Sequence, residues 1–146
     1  MTKDEKLLLE YEIKLLEDSR KMLAHSYDAC IKIGFKDTYT IEELDCFEAL
    51  TSRFARTSDI LIQKIFRLVE KIELERQGSI IDRINGAEKR GLIESAETFK
   101  EIRRIRNEIA HEYMPKAIEE IFKSVLRLVP YVLDSIERVK SYFPQI

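Results

Sequence analysis

Four glycines and three prolines are all that punctuate 146 residues, and from Thr40 to Glu75 neither occurs. A chain so poor in breakers and rich in Leu, Ile, Glu, Lys and Arg favours long helices, because these side chains lose little rotamer freedom there. Apolar residues make up 45% and charged ones 36%, a balance that suits one domain with its own core. The expected fold class is all-α, a single domain over residues 1–146. Short connections predict an antiparallel up-and-down bundle of four to five helices.

Periodicity places the helices. Residues 4–33 read as one helix, with Leu8, Tyr11, Leu15, Met22, Ala29 and Ile33 on one side and Gly34 as the stop signal. Thr40 and Glu43 form a capping box that opens a second helix running to about Glu75. Leu44, Phe47, Leu50, Phe54, Leu61, Ile65, Leu68 and Ile72 predict a single continuous seam along it. Ser79 opens a shorter helix through Ile80, Ile81 and Ile84, expected to close at Asn85-Gly86, with Gly91 as the later alternative. Ser95 or Glu94 opens a fourth, which should end near Tyr113 because Pro115 disfavours helical geometry at Met114. Pro115 suits the first turn of a last helix, buried through Ile118, Phe122, Val125, Val129, Val132, Ile136 and Val139 and kinked at Pro130.

Composition excludes several classes. A net charge of −2 provides no global basic field for nucleic acid, so any RNA binding must be local. Two cysteines, Cys30 and Cys46, cannot make a disulfide framework and read as small core residues. No secretory apolar region opens the chain, and no apolar run approaches the roughly 20 residues of a membrane span. The expectation is a cytoplasmic protein with reduced thiols and no membrane association. No His-Glu-x-x-His pattern, clustered Cys/His set or Gly-rich phosphate loop occurs, so neither metal nor cofactor is expected.

The chemistry-bearing stretch is Arg103-Arg104-Ile105-Arg106-Asn107-Glu108-Ile109-Ala110-His111-Glu112-Tyr113. Arginine supplies a permanent cation for phosphate, and histidine moves protons near neutral pH. Phe99, Ile102, Ile105, Ile109, Ala110 and Tyr113 share one broad arc of this helix, and Arg106 falls inside it. An arginine on an apolar stripe needs an anion or a set of acceptors. Asn107 and His111 lie about 40° apart, with Arg104 on the same face, whereas Arg106 and His111 diverge by about 140° on a straight helix. A wrapped arginine stem, a deformed helix end or a second protomer at a two-fold axis could each reconcile that divergence.

Arg106, four intervening residues, then His111-Glu112-Tyr113, with Asn107 after the arginine, resembles the motif of HEPN domains. More narrowly it is similar to the HepT-like toxins of HEPN/MNT toxin–antitoxin pairs, also described as nucleotidyltransferase substrate-binding proteins. Ser52 to Leu61, chain length and helical layout resemble the same group, so the likeness spans essentially the whole chain. It implies a metal-independent RNA endonuclease acting as a homodimer. His111 would handle the proton of the ribose 2′-hydroxyl or the leaving 5′-oxygen, Arg106 would hold the scissile phosphate, and Asn107 would orient either. It implies a 2′,3′-cyclic phosphate product, tRNA among the RNA targets, and silencing by an MNT-type nucleotidyltransferase antitoxin that transfers AMP to Tyr113. The alternative within the same likeness is a non-catalytic partner subunit of a minimal nucleotidyltransferase.

Plainer roles compete at each position. His111 is also a helix C-terminal histidine favoured by the macrodipole. Arg106 is also a structural ion pair, and Tyr113 a core ring with its hydroxyl at the surface. Arg103 and Arg104, which would add RNA-binding charge, also read as a solvated face, and Arg53 and Arg56, which resemble family positions, also read as surface ion pairs. His25 has no partner pattern and receives no function.

Overall fold

A computed structural model of the chain describes residues 1–111 and 115–143, the side chains at 115 and 116 excepted. The elements are α1 (Lys3–Ile33), α2 (Ile41–Asp59), a π-helical segment (Ile60–Ile65), α3 (Phe66–Ile72), α4 (Ile80–Lys89), α5 (Ala96–His111) and α6 (Pro115–Tyr142). No strand occurs among the described residues.

Local chemistry sets the boundaries. Thr2, Thr40 and Ser79 each close a reciprocal capping box, with Glu5, Glu43 and Asp82 respectively. Ser95 Oγ accepts from the Thr98 amide at 3.3 Å and opens α5. Gly34 and Gly91 adopt φ of 70° and 76°, a region that costs glycine little and ends helices. The expected stop at Asn85-Gly86 is therefore corrected. α4 runs through Gly86 to Lys89, and the left-handed turn comes at Gly91.

Side-chain pairs give the helix directions. Ser19 meets Thr57 at 2.5 Å, and Cys30 Sγ donates to the Cys46 carbonyl at 3.3 Å, so α1 and α2 are antiparallel. Lys140 pairs with Glu17 at 3.1 Å, while Phe35 meets Phe122 edge-on, so α6 is antiparallel to α1. Glu101 of α5 holds Arg127 of α6, and Ser135 further along α6 donates to the Leu92 carbonyl just before α5, so these two are antiparallel. α1 and α5 thus run one way, α2 and α6 the other. The core between them is built on Leu16, Leu23, Phe47, Phe54, Phe99 and Phe122, with Phe47 stacked on Phe122 at 3.6 Å between ring centres. Pro130 sits on the exposed face of α6, which continues past it to Tyr142.

Two expectations fail. The buried face of α1 is Leu9, Glu12, Leu16, Ser19, Leu23, Ser26 and Cys30, while Leu8, Tyr11 and Met22 are 42%, 60% and 49% exposed. The small hydroxyl residues on this seam let α2 approach closely, and Arg53 donates to Ser26 Oγ at 2.6 Å.

The second helix is also not one uniform seam to Glu75. It ends at Ile72, and its middle widens where the Phe66 amide reaches back to the Leu61 carbonyl, five residues earlier. The cause lies one turn before. Thr57 and Ser58 bond back to the Arg53 and Phe54 carbonyls at 2.8 and 2.6 Å, a habit that bends helices. The widened turn rotates the downstream stripe, so burial there is broad, from Ile60, Leu61 and Ile62 to Leu68, Val69 and Glu70, and leaves Lys64, Arg67 and Lys71 exposed. Arg83 of α4 docks on it, donating to the Ile62 carbonyl at 3.3 Å and to buried Glu70 at 2.6 Å.

Candidate active site at the end of the fifth helix

α5 buries Ala96, Phe99, Ile102 and Ile105 against α2 and α6. Towards its end the apolar arc thins. Ile109 is half-buried, while Ala110 is exposed. The site residues come from this transition between core and solvent.

Arg106 is half-buried and meets Asp59, the last residue of α2. Its Nε and Nη2 donate to Asp59 Oδ1 and Oδ2, each at 2.8 Å. This bidentate pair matches the planar fork of guanidinium to carboxylate. The Asp59 hydrogen bonds raise the Arg106 pKa above the usual arginine value and outweigh the opposing effect of burial. Arg103 Nη1 lies 3.7 Å from the same carboxylate, so Asp59 serves two arginines. The acid stands immediately before the π-helical segment, and its position is therefore tied to that local widening.

Asn107 and His111 are exposed on another face. With Arg104 and Glu108 they line one shallow opening of about 300 Å³. Arg104 donates to Glu108 at 2.8 Å and lies 3.9 Å from Glu101. Both arginines named for RNA thus carry carboxylate partners, which reduces the positive charge they can offer. Arg106 does not line this opening. Within one chain the structure joins Asn107 with His111, and Arg106 with Arg103, but not the two pairs with each other.

Tyr113 lies outside the described residues. Among the described residues no cluster of His, Cys, Asp and Glu is arranged to hold a metal. Arg53 is fixed by Ser26 and the Met22 carbonyl rather than by a surface acid. Asp59 is the residue that the sequence reading left without a role. A signal for it existed: an arginine inside an apolar arc requires an acid, and Asp59 is the lone charge between Arg56 and Lys64.

No family model, curated protein or solved structure matches the chain. Among the described residues no helix is long and apolar enough to cross a membrane.

Proposed function

We propose that the end of α5 is a HEPN-type RNA-cleaving site, completed by a second copy of the chain, in a HepT-like toxin. The observation that carries this reading is the exposed Asn107–His111 face, with Arg106 held by Asp59 on a neighbouring face of the same helix end. In one protomer these are separate surfaces. A two-fold partner would set His111 of one copy opposite Arg106 of the other. The His111 imidazole would take the proton of a ribose 2′-hydroxyl as its oxygen attacks phosphorus. The P–O5′ bond breaks, and the leaving 5′-oxygen is protonated, leaving a 2′,3′-cyclic phosphate. Arg106 would hold the phosphate oxygens as charge develops, with Asn107 orienting the imidazole or the phosphate. AMP placed on Tyr113 by a partner nucleotidyltransferase would bring bulk and negative charge to the cleft and exclude RNA.

Expression of the wild-type chain should arrest growth, and the purified protein should yield RNA fragments with cyclic phosphate ends. Arg106→Ala and His111→Ala should abolish both effects while remaining folded. Toxicity undiminished in both variants would falsify the nuclease reading.

A second reading is favoured by one specific observation, the satisfied fork of Arg106 on Asp59. If that pair is structural, the chain is a non-catalytic partner of a nucleotidyltransferase. Incubation with that enzyme and ATP would then add AMP mass at Tyr113, with no RNA cleaved by the unmodified chain.

A further inference from the structure

Asp59 enters none of the chemistry assigned above, yet the cation of that chemistry is built onto it. A guanidinium carries five N–H donors along the edges of a flat fork. Asp59 takes one edge of Arg106, the Nε hydrogen and one Nη2 hydrogen, each at 2.8 Å. The edge shared by Nη1 and Nη2 is left over, with no acceptor for Nη1 among the described residues. Two parallel N–H bonds from that edge suit two oxygens of one phosphate.

The carboxylate is itself held. Thr57 and Ser58, immediately before it, are buried and bond back to the Arg53 and Phe54 carbonyls, and Thr57 also meets Ser19 of α1. The backbone that carries Asp59 is thus anchored to the core. The bidentate bond passes that anchorage to a long side chain that would otherwise sample many rotamers.

The charge count separates this pair from other arginine pairs of the fold. Arg83 is matched by Glu70, Arg90 by Glu73 and Glu75, and Arg104 with Arg127 by Glu101 and Glu108. Around Asp59 the ratio is reversed. Arg106 is bonded to it and Arg103 lies 3.7 Å away, two guanidiniums on one carboxylate. One positive charge is left unmatched beside the free edge. A pair serving stability alone needs no such surplus, whereas phosphate recognition does.

We infer that Asp59 is a positioning residue of the α5 site, holding Arg106 by one edge of its fork so that the other edge meets the scissile phosphate. The inference rests on the nuclease reading and adds to it a residue from another helix. Asp59 touches no substrate and acts through Arg106. It is not a brake that competes with phosphate for the guanidinium, because the two acceptors use different edges.

Total cellular RNA is the probe, with 2′,3′-cyclic phosphate ends counted over time. Asp59→Asn keeps the shape but presents an amide donor where the fork needs a second acceptor. Its kcat should fall about tenfold to a hundredfold, the scale of a misplaced catalytic group. Its KM should stay level or drop, because the cations remain and a negative charge has left the RNA surface. A purely structural pair predicts wild-type kcat in the folded variant, and a competing brake predicts a rise. Asp59→Glu keeps a carboxylate and should retain more kcat than Asp59→Asn. Proton exchange at Arg106 Nε, followed by heteronuclear NMR, reads the holding without RNA and should be slow in the wild type and fast in Asp59→Asn. Thermal melting should show both variants folded. The role of Asp59 is overturned if folded Asp59→Asn matches or exceeds the kcat of an active wild type, or if Nε exchange is equal in the two proteins. A wild type that releases no cyclic phosphate ends overturns the nuclease reading itself, and this role with it.

Discussion

Arg106 and Asp59 join α5 to the last residue of α2 through two hydrogen bonds of 2.8 Å, with 27% and 33% of their side chains still open to solvent. That partial exposure sets the scale of what the pair contributes. Water screens it, so Asp59→Ala and Arg106→Ala should each cost only about 1 kcal/mol of stability. A double-mutant cycle in urea should show a coupling of about the same size, because the fork geometry is bidentate. A coupling near zero would mean that the pair does not persist in solution. Arg106→Lys separates stability from chemistry. It keeps the charge without the fork, and should preserve most of the stability while losing RNA cleavage if that reading holds.

Glu70 and Arg83 form a different kind of pair. Their side chains are 5% and 8% exposed, and the Nε–Oε1 distance is 2.6 Å. Removing one partner leaves the other charged and buried, so Glu70→Ala should cost about 3–5 kcal/mol. Replacing both with apolar residues of similar bulk, Glu70→Leu with Arg83→Met, should recover most of that loss. The comparison is read from denaturant midpoints of the two variants. If the double variant is as unstable as the single one, Arg83's further bonds to Ile62 and Gln63 matter more than its charge partner.

The orientation of α1 gives a sharp contrast between two residues five positions apart. Leu16 is wholly buried, while Tyr11 is 60% exposed. Leu16→Ala should cost about 2–5 kcal/mol through lost burial and a cavity. Tyr11→Ala should fall within about 0.5 kcal/mol of wild type. Equal effects would indicate that the stripe containing Tyr11 is covered by another chain.

α1 also shows why part of the fold could be read from sequence and part could not. The helix ends were legible because Thr40-Glu43, Ser79 and Gly34 carry their own local chemistry. The face of α1 was not. Leu8, Leu15 and Met22 and their neighbours Leu9, Leu16 and Leu23 form two apolar stripes one residue apart. Periodicity cannot choose between them. The choice comes from Ser19 and Ser26, whose small polar side chains match Thr57 and Arg53 on a helix far along the chain. The π-helical widening escaped for a similar reason: no glycine or proline marks it, only two adjacent hydroxyls. At the site, the shared face of Asn107 and His111 follows from helix spacing alone. The partner of Arg106 is a tertiary contact across 47 positions, which no local pattern encodes.

Acid should weaken the fold. The Lys36 hydrogen bond, with the Thr40 backbone, lowers the Glu43 pKa from its ordinary 4.5, and the Arg127 hydrogen bond lowers that of Glu101. A carboxylate with a lowered folded pKa contributes stability that is present above 4.5 and lost as pH falls through the folded value. Melting temperature should thus hold steady down to that pH and decline below it. Glu43→Gln and Glu101→Gln should flatten the decline. Each contribution is small, because both pairs are at the surface. A melting temperature that rises on acidification below 4.5 would reverse the sign of this linkage.

Cys30 supplies the last test, one that reads burial through reactivity. Burial first, then the nearby Cys46, raises the Cys30 thiol to about 11. At pH 8 only about one molecule in a thousand would carry the thiolate, the form that attacks an alkylating reagent. The thiol is also fully covered and donates to the Cys46 carbonyl at 3.3 Å. Iodoacetamide at pH 8 should therefore leave Cys30 unmodified in the folded protein and label it promptly in urea, with peptide mass spectrometry locating the label. The linkage has a definite direction. Because the folded pKa exceeds the unfolded one, stability from the neutral thiol is complete below the unfolded value near 9 and is lost as pH rises towards 11. Cys30→Ser should remove that alkaline dependence and lower stability at neutral pH, since a hydroxyl is harder to bury than a thiol. Equal labelling rates in the folded and unfolded chain would show that the α1–α2 seam opens at its Cys30 end, contrary to the packing described here.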